Sequence, residues 1–210
     1  MSTESFSTDK RKSSYGEHRS FRGVENYAIE RRMGKARLFL KKLRAEYPER
    51  QLQILELGCG FWGRNLQLLK KSFPSVQFTG VDLKVTPERM PLIELIQADI
   101  TQWKPTEQYD GILSLAVVEH LLDPRQHFNL IADSLRSKGL ACLTTPTPPA
   151  HFVLRVLAGL RVFDPAEISD HEIYFTETGL RNLAKGSNLV VEEYNQMTFG
   201  LNQSMLLRKY

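Results

Sequence analysis

The residues Glu56-Leu57-Gly58-Cys59-Gly60-Phe61-Trp62-Gly63 space three glycines as Gly-x-Gly-x-x-Gly. That spacing lets bare backbone approach a ligand and then turn sharply into a helix. Asp82 follows nineteen residues after Gly63, close to where an acid can take the hydroxyls of a ribose. Together these residues point to an adenosine cofactor, and Glu56 bears on which one. A pyrophosphate needs free N–H groups at the positive end of a helix, and a carboxylate at Glu56 would repel it. S-adenosylmethionine carries an ammonium, a sulfonium and a single carboxylate. An acid at this position therefore favours S-adenosylmethionine over a nicotinamide dinucleotide.

A second group with chemical capacity is the Glu119-His120 step. Methyl transfer to an oxygen needs the acceptor held in line with the donor and relieved of its proton. An imidazole titrating at about 6.5 suits that work, and most of the acceleration comes from positioning. The plain alternative is that the two residues cap the helix that follows. Asp170-His171 precedes a run of aromatics, where, read from the residues alone, His171 is a loop histidine bonded to Asp170 or Glu172. Trp62 is expected to cover the cofactor's methionine end or to pack in the core. His18, His127 and His151 have no chemical company in the sequence. Cys59 and Cys142 make no metal-type spacing, and both read as reduced thiols.

These residues need a frame that carries them to one edge. After a polar arm at residues 1–22 the pattern predicts a helix from Val24 to Tyr47. Its apolar stripe is Ile29, Met33, Ala36, Leu40, Leu43 and Tyr47, and Pro48 ends it. Short apolar runs at Gln53–Leu57, Val76–Val81, Leu92–Gln97, Tyr109–Leu115 and Leu140–Thr144 read as strands. Helices at Arg64–Ser72 and Pro124–Leu135 alternate with them, which implies parallel βαβ units. The link from Asp82 to Leu92, broken by Pro87 and Pro91, is too short for a crossover helix. A short apolar helix is expected at Phe152–Leu160. Thr176–Lys185 is expected as a helix capped by Thr176 and ended by Gly186. Strands at Leu189–Tyr194 and Ser204–Arg208 complete the chain. One domain from residue 23 to 210 follows, with an insertion at about 146–171.

From Gln51 to Arg208 the sequence resembles the class I S-adenosylmethionine-dependent methyltransferases. ELGCGFWG is similar to their first motif. Val81-Asp82-Leu83 resembles the second, where the acid takes the ribose hydroxyls and the next residue packs on the adenine. Asp99-Ile100 matches the pair that reads the adenine edge, and YDGILSLAVVEHL the segment whose strand lines the methyl-donor pocket. The resemblance implies a Rossmann-like α/β fold, with a seven-stranded, mostly parallel sheet ordered 3-2-1-4-5-7-6 and strand 7 antiparallel. It also implies cofactor contacts from Glu56, Gly58, Cys59, Gly60, Gly63, Asp82, Leu83, Asp99, Ile100 and Leu115. AVVEHLLDP resembles quinone-biosynthesis O-methyltransferases and small-RNA terminal 2′-O-methyltransferases, which hold a divalent metal with Glu-x-x-Glu-His. Ala116 replaces the first Glu here, so no metal is expected, and Glu119, His120 and His171 are the catalytic candidates.

Charge and composition narrow the partners. Residues 1–50 hold 13 Lys+Arg against 7 Asp+Glu, whereas residues 51–210 hold 15 against 17. The excess positive charge lies on the arm and first helix, where a nucleic-acid or anionic-lipid contact stays open beside a solvated helix face. No apolar run approaches the roughly 18 residues of a membrane span. The start carries no secretory pattern either, so a cytoplasmic protein is expected. The resemblance implies that the insertion at about 146–171 forms the substrate wall, and its residues Phe152, Val153, Leu154, Val156, Leu157, Leu160, Val162 and Phe163 favour a small, partly hydrophobic acceptor, with oxygen the favoured atom. RNA and a non-catalytic S-adenosylmethionine-binding scaffold are the alternatives.

Overall fold

The computed structural model describes residues 22–150 and 173–210. Most of the proposed arm, the helix at Phe152–Leu160, His18, His151 and His171 lie outside these residues. Helix α1 spans Arg22–Glu46, and strand β1, Gln53–Leu57, begins after Pro48 and a turn. There follow α2 (Arg64–Ser72), β2 (Gln77–Asp82), β3 (Glu88–Met90), β4 (Ile93–Gln97) and β5 (Tyr109–Leu115). The second half holds α3 (Pro124–Ser134), β6 (Leu135–Pro146), α4 (Glu177–Gly186), β7 (Leu189–Met197) and β8 (Asn202–Lys209).

The strands form one sheet in the order β3-β4-β2-β1-β5-β6-β8-β7. Strands β4, β2, β1, β5 and β6 run parallel, and β8 is antiparallel to both β6 and β7. With β3 set aside, this is the expected seven-stranded order with its antiparallel seventh strand. The strand β3 is an addition: between Pro87 and Pro91 the chain is extended, and a turn at Pro91 and Leu92, the latter at φ 60°, lays it antiparallel to β4 instead of winding a helix. β1 stands where the order reverses, with β2 on one side and β5 on the other. Open α/β sheets hold ligands outside the carboxyl ends of strands at such a point.

Two apolar layers cover the sheet. Met33, Ala36, Leu40 and Leu43 of α1 are buried against one face together with Leu66 and Leu69 of α2. The expected stripe is thus the packed one. A Cβ on Gly111 would stand 2.5 Å from Leu43 and 2.7 Å from Phe39, so the absence of a side chain in β5 is what lets α1 lie close. Phe128 and Ile131 of α3 and Leu180 and Ala184 of α4 fill the opposite layer. The helix α3 is capped by Asp123, whose carboxylate accepts from the N–H groups of Arg125 and Gln126, with Pro124 at its first position. Thr176 caps α4 as expected by accepting from Gly179 N–H. Gly186, however, is the last helical residue, and Asn188 takes the left-handed conformation at φ 56°.

At the amino edge Asp110, 1% exposed, accepts from Gln53 N–H and pairs with Arg50 and Arg136 at 2.8 and 2.9 Å. Arg208 joins Glu46 of α1 to Glu192 of β7, and Lys42 pairs with Glu192 and Glu193. This network ties α1 to the terminal hairpin. Among the described residues no helix is long and apolar enough to cross a membrane.

Candidate active site

The glycine loop leaves β1 through two backbone bonds, Gly58 N–H and Cys59 N–H both donating to Val81 O at 2.8 and 3.3 Å. Gly58, Gly60 and Gly63 all have positive φ, at 74°, 71° and 54°. Their roles differ. A Cβ at Gly58 would meet Val117 at 2.5 Å, and one at Gly63 would meet Leu95 at 2.6 Å, so these two allow close packing. A Cβ at Gly60 would meet nothing within 4 Å. Gly60 therefore offers its bare backbone to open space, as a ligand-cradling residue must. Cys59 is buried, and burial pushes its thiol far up. It belongs to the packing beneath the loop.

Glu56 closes the floor. It is completely buried, Asn65 Nδ2 donates to its Oε1 at 2.8 Å, and its Oε2 has no partner among the described residues. Burial pushes its pKa up to about 7, opposed by the Asn65 bond and reinforced by the negative Asp82. A buried carboxyl with one unmet oxygen fits a cationic ligand group better than an anionic one. Sequence reading missed Asn65, because its partnership with Glu56 exists only once α2 has turned back over the loop.

Asp82, the expected ribose acid, is held by the protein's own backbone. Its Oδ2 accepts from Gly60 N–H at 2.9 Å and Oδ1 from Lys84 N–H at 2.8 Å. The carboxylate thus ties the second strand's end to the glycine loop and sets the loop's path. Leu83 beside it is 61% exposed, an apolar surface kept in solvent next to that carboxylate. Asp99 Oδ1 accepts from the Thr101 N–H and hydroxyl, which hold its carboxyl below the usual range, and Ile100 follows it, half-buried. Leu115 ends β5, nearly buried. Phe61 and Trp62 stay exposed, with ring centroids 5.3 Å apart, so Trp62 is not a core residue.

Beyond Leu115 the chain bends through Ala116, at φ 59° and bonded to Thr144 O, into a 3-10 turn, Val118–His120. Glu119 is 1% exposed, and Thr145 Oγ1 donates to its Oε2 at 3.0 Å. Burial raises its pKa, against the pull of its own backbone N–H, the His120 charge, the Thr145 bond and the Arg32 charge. His120, by contrast, is exposed. Neither residue caps α3, since Asp123 does so. Glu119 O accepts from Ile173 N–H at 3.3 Å, which brings Tyr174 alongside, and the Glu119 charge together with burial raises the phenol's pKa. Sequence reading also missed Thr145. Among the described residues no three His, Cys, Asp or Glu side chains converge as a metal site.

A family model described as a methyltransferase domain matches residues 27–194. The chain belongs to the methyltransferase domain family. The match begins within α1 and ends in β7, so it takes in the glycine loop, Asp82, Asp99 and the Glu119 turn. The trans-aconitate 2-methyltransferase of Yersinia pestis (strain Pestoides F) is 31% identical over 113 residues, which cover 50% of this chain and 43% of that protein. The chain thus aligns with less than half the length of that relative. Among solved structures, the methyltransferase fold is similar to magnesium protoporphyrin IX methyltransferase from Synechocystis PCC 6803. The TM-score is 0.69 at 12% identity, over 93% of this chain and 90% of that one. It is also similar to the plantazolicin methyltransferase, with a TM-score of 0.65 at 14% identity and 91% of each chain covered.

Proposed function

We propose that this methyltransferase moves the methyl group of S-adenosylmethionine to an oxygen of a small, partly hydrophobic acceptor. The observation that carries the proposal is Glu56, a fully buried carboxyl with one unmet oxygen at the end of β1. An ammonium beside it would meet that oxygen, whereas a pyrophosphate would meet a negative charge. Gly60 would place bare backbone along the methionine portion, and Asp82 would take the ribose hydroxyls. Leu83 would lie on the adenine, with Asp99 and Ile100 at its edge and Leu115 toward the methyl group. When bound, the cofactor supplies an electrophilic methyl on a sulfonium.

The chain's own work is then orientation and proton handling. The loop fixes one partner, and the Glu119–His120 turn past β5 faces the other. With a good leaving group already present, holding the two in line accounts for most of the rate. The name of the Yersinia pestis relative states a small-molecule acceptor, which supports a small molecule here over RNA. The plantazolicin and magnesium protoporphyrin IX enzymes were solved with S-adenosylhomocysteine, which supports the cofactor assignment.

Thermal denaturation with added ligand tests the cofactor. S-adenosylhomocysteine should raise the melting temperature, because a ligand bound only by the folded state stabilises it by about 2.7 kcal/mol at a hundred times its dissociation constant. A larger shift with NAD would end the methyltransferase proposal.

A further inference from the structure

We propose that Glu119 is the seat of the acceptor, its free carboxyl oxygen taking the O–H or N–H of the group to be methylated. The site would thereby select hydroxyl- or amine-bearing acceptors over carboxylates. The inference rests on the methyl-transfer function proposed above and deepens it by naming the acceptor class.

Glu119 is 1% exposed, and its Oε2 accepts from Thr145. Oε1 is buried and has no hydrogen-bond partner among the described residues. An unmet buried carboxyl oxygen is costly, and a folded protein retains one where something else completes it. Among the described residues no side chain does so. The helix that follows is capped by Asp123, and Glu119's own carbonyl is engaged separately by Ile173 N–H. The groups whose fields reach the carboxyl are Arg32 from α1, His120 from its own turn and Tyr174 from the segment returning toward α4. The place is also right, immediately past β5 at the carboxyl edge of the sheet.

A ligand O–H or N–H would complete Oε1 with a charge-assisted bond. A ligand carboxylate would instead set a second negative charge beside the first in a poorly solvated place. For a hydroxyl acceptor the step balances. The O–H bond breaks and its proton passes to Glu119. The O–CH3 bond forms as the carbon–sulfur bond of the sulfonium breaks, its electron pair staying on sulfur. A carboxyl with a raised pKa is suited to receive that proton, and exposed His120 then serves to pass it to water.

The test compares matched probes on the protein saturated with S-adenosylhomocysteine. Benzyl alcohol, benzylamine, benzoate and trans-aconitate are titrated into the parent and into Glu119→Gln, with S-adenosylhomocysteine affinity and melting curves measured alongside. The alcohol or the amine should bind at least tenfold tighter than either carboxylate. Glu119→Gln should erase that preference and leave cofactor affinity within about twofold. In turnover assays with the probe that binds, Glu119→Ala should lose more activity than His120→Ala, and added formate should restore part of it. The inference is overturned if a carboxylate binds as well as the best donor-bearing probe. It is equally overturned if Glu119→Gln handles the donor-bearing probes as the parent does, absence of binding included. Should the glutamine variant not fold, the parent's ranking of the four probes decides. Failure of the parent to bind S-adenosylhomocysteine strikes the cofactor proposal instead, so the two failures are told apart.

Discussion

Asp82 shows how one carboxylate serves the fold and the ligand together. Its two oxygens accept from Gly60 and Lys84 N–H groups, so the side chain sets the path of the glycine loop whether or not a ribose is present. Removing it should therefore act twice. In Asp82→Ala the ribose hydroxyls lose a charge-assisted acceptor for which water partly compensates, so the loss is nearer one bond than two. That corresponds to a dissociation constant for S-adenosylhomocysteine weaker by roughly 10- to 150-fold. The apo protein should also melt lower, because two backbone N–H groups lose their acceptor. Asp82→Asn should lose less on both counts, since its amide oxygen still accepts from one of them. Titration calorimetry paired with apo melting curves separates the effects. Unchanged affinity in Asp82→Ala would place the ribose elsewhere. An unchanged apo melting point would mean that the loop does not depend on this residue.

At the scale of elements, Gln203 joins what the chain separates. This β8 residue is 1% exposed, and all its amide atoms are used. Nε2 donates to Pro146 O and Phe175 O at 3.1 and 2.7 Å, and Oε1 accepts from Tyr194 O–H at 3.0 Å. It thus pins the end of β6 and the approach to α4 to one strand. Gln203→Leu would strand two carbonyls and a phenol, at about 1–3 kcal/mol for each group left buried and unpaired. Denaturant unfolding should register a loss of several kcal/mol, while S-adenosylhomocysteine affinity per folded molecule stays near the parent's, because the glycine loop, Asp82 and Asp99 lie across the sheet. A parallel fall in cofactor affinity would count against that separation. None of this is visible along the sequence, where Gln203 is a polar residue entering an apolar strand. What periodicity and spacing do convey is local: α2 and β5 run between the predicted residues, and the three glycines open the expected loop. The antiparallel β3 escapes because its pairing with β4 is decided by the tight turn at Pro91 and Leu92. Asn65 at Glu56 and Thr145 at Glu119 escape because each is a contact between different elements, made only once the loop has turned into α2 and the strands have paired.

At the scale of the whole molecule, the buried titratable groups pull stability in opposite directions across the acid range. His127 lies in α3, 3% exposed, with Nε2 2.9 Å from Ser114 Oγ, and burial lowers its pKa from 6.5 to about 4. The unfolded chain then binds the extra proton between pH 6.5 and 4, so this group's stability is whole above 6.5 and is lost as pH falls to 4. Glu56 does the reverse. Its folded pKa is raised from 4.5 to about 7, so the folded state binds the extra proton between those values. Its stabilising effect is present below 4.5 and is lost as pH rises to 7. Each amounts to roughly 3 kcal/mol at about 1.36 kcal/mol per pKa unit, and between pH 4.5 and 6.5 the two slopes nearly cancel. Glu119, also raised, adds to the Glu56 side. Single variants should expose the hidden slopes. His127→Gln should gain stability relative to the parent as pH falls from 6.5 to 4. Glu56→Gln should gain relative to the parent as pH rises from 4.5 to 7. Saturating S-adenosylhomocysteine should flatten the difference between Glu56→Gln and the parent, because an ammonium beside the carboxylate favours its charged form and removes the penalty. Urea unfolding of the parent and both variants at half-unit steps of pH measures all three curves. A pH-independent offset between His127→Gln and the parent would show that the imidazole is not held neutral. A Glu56 difference untouched by S-adenosylhomocysteine would remove the ammonium from beside that carboxyl.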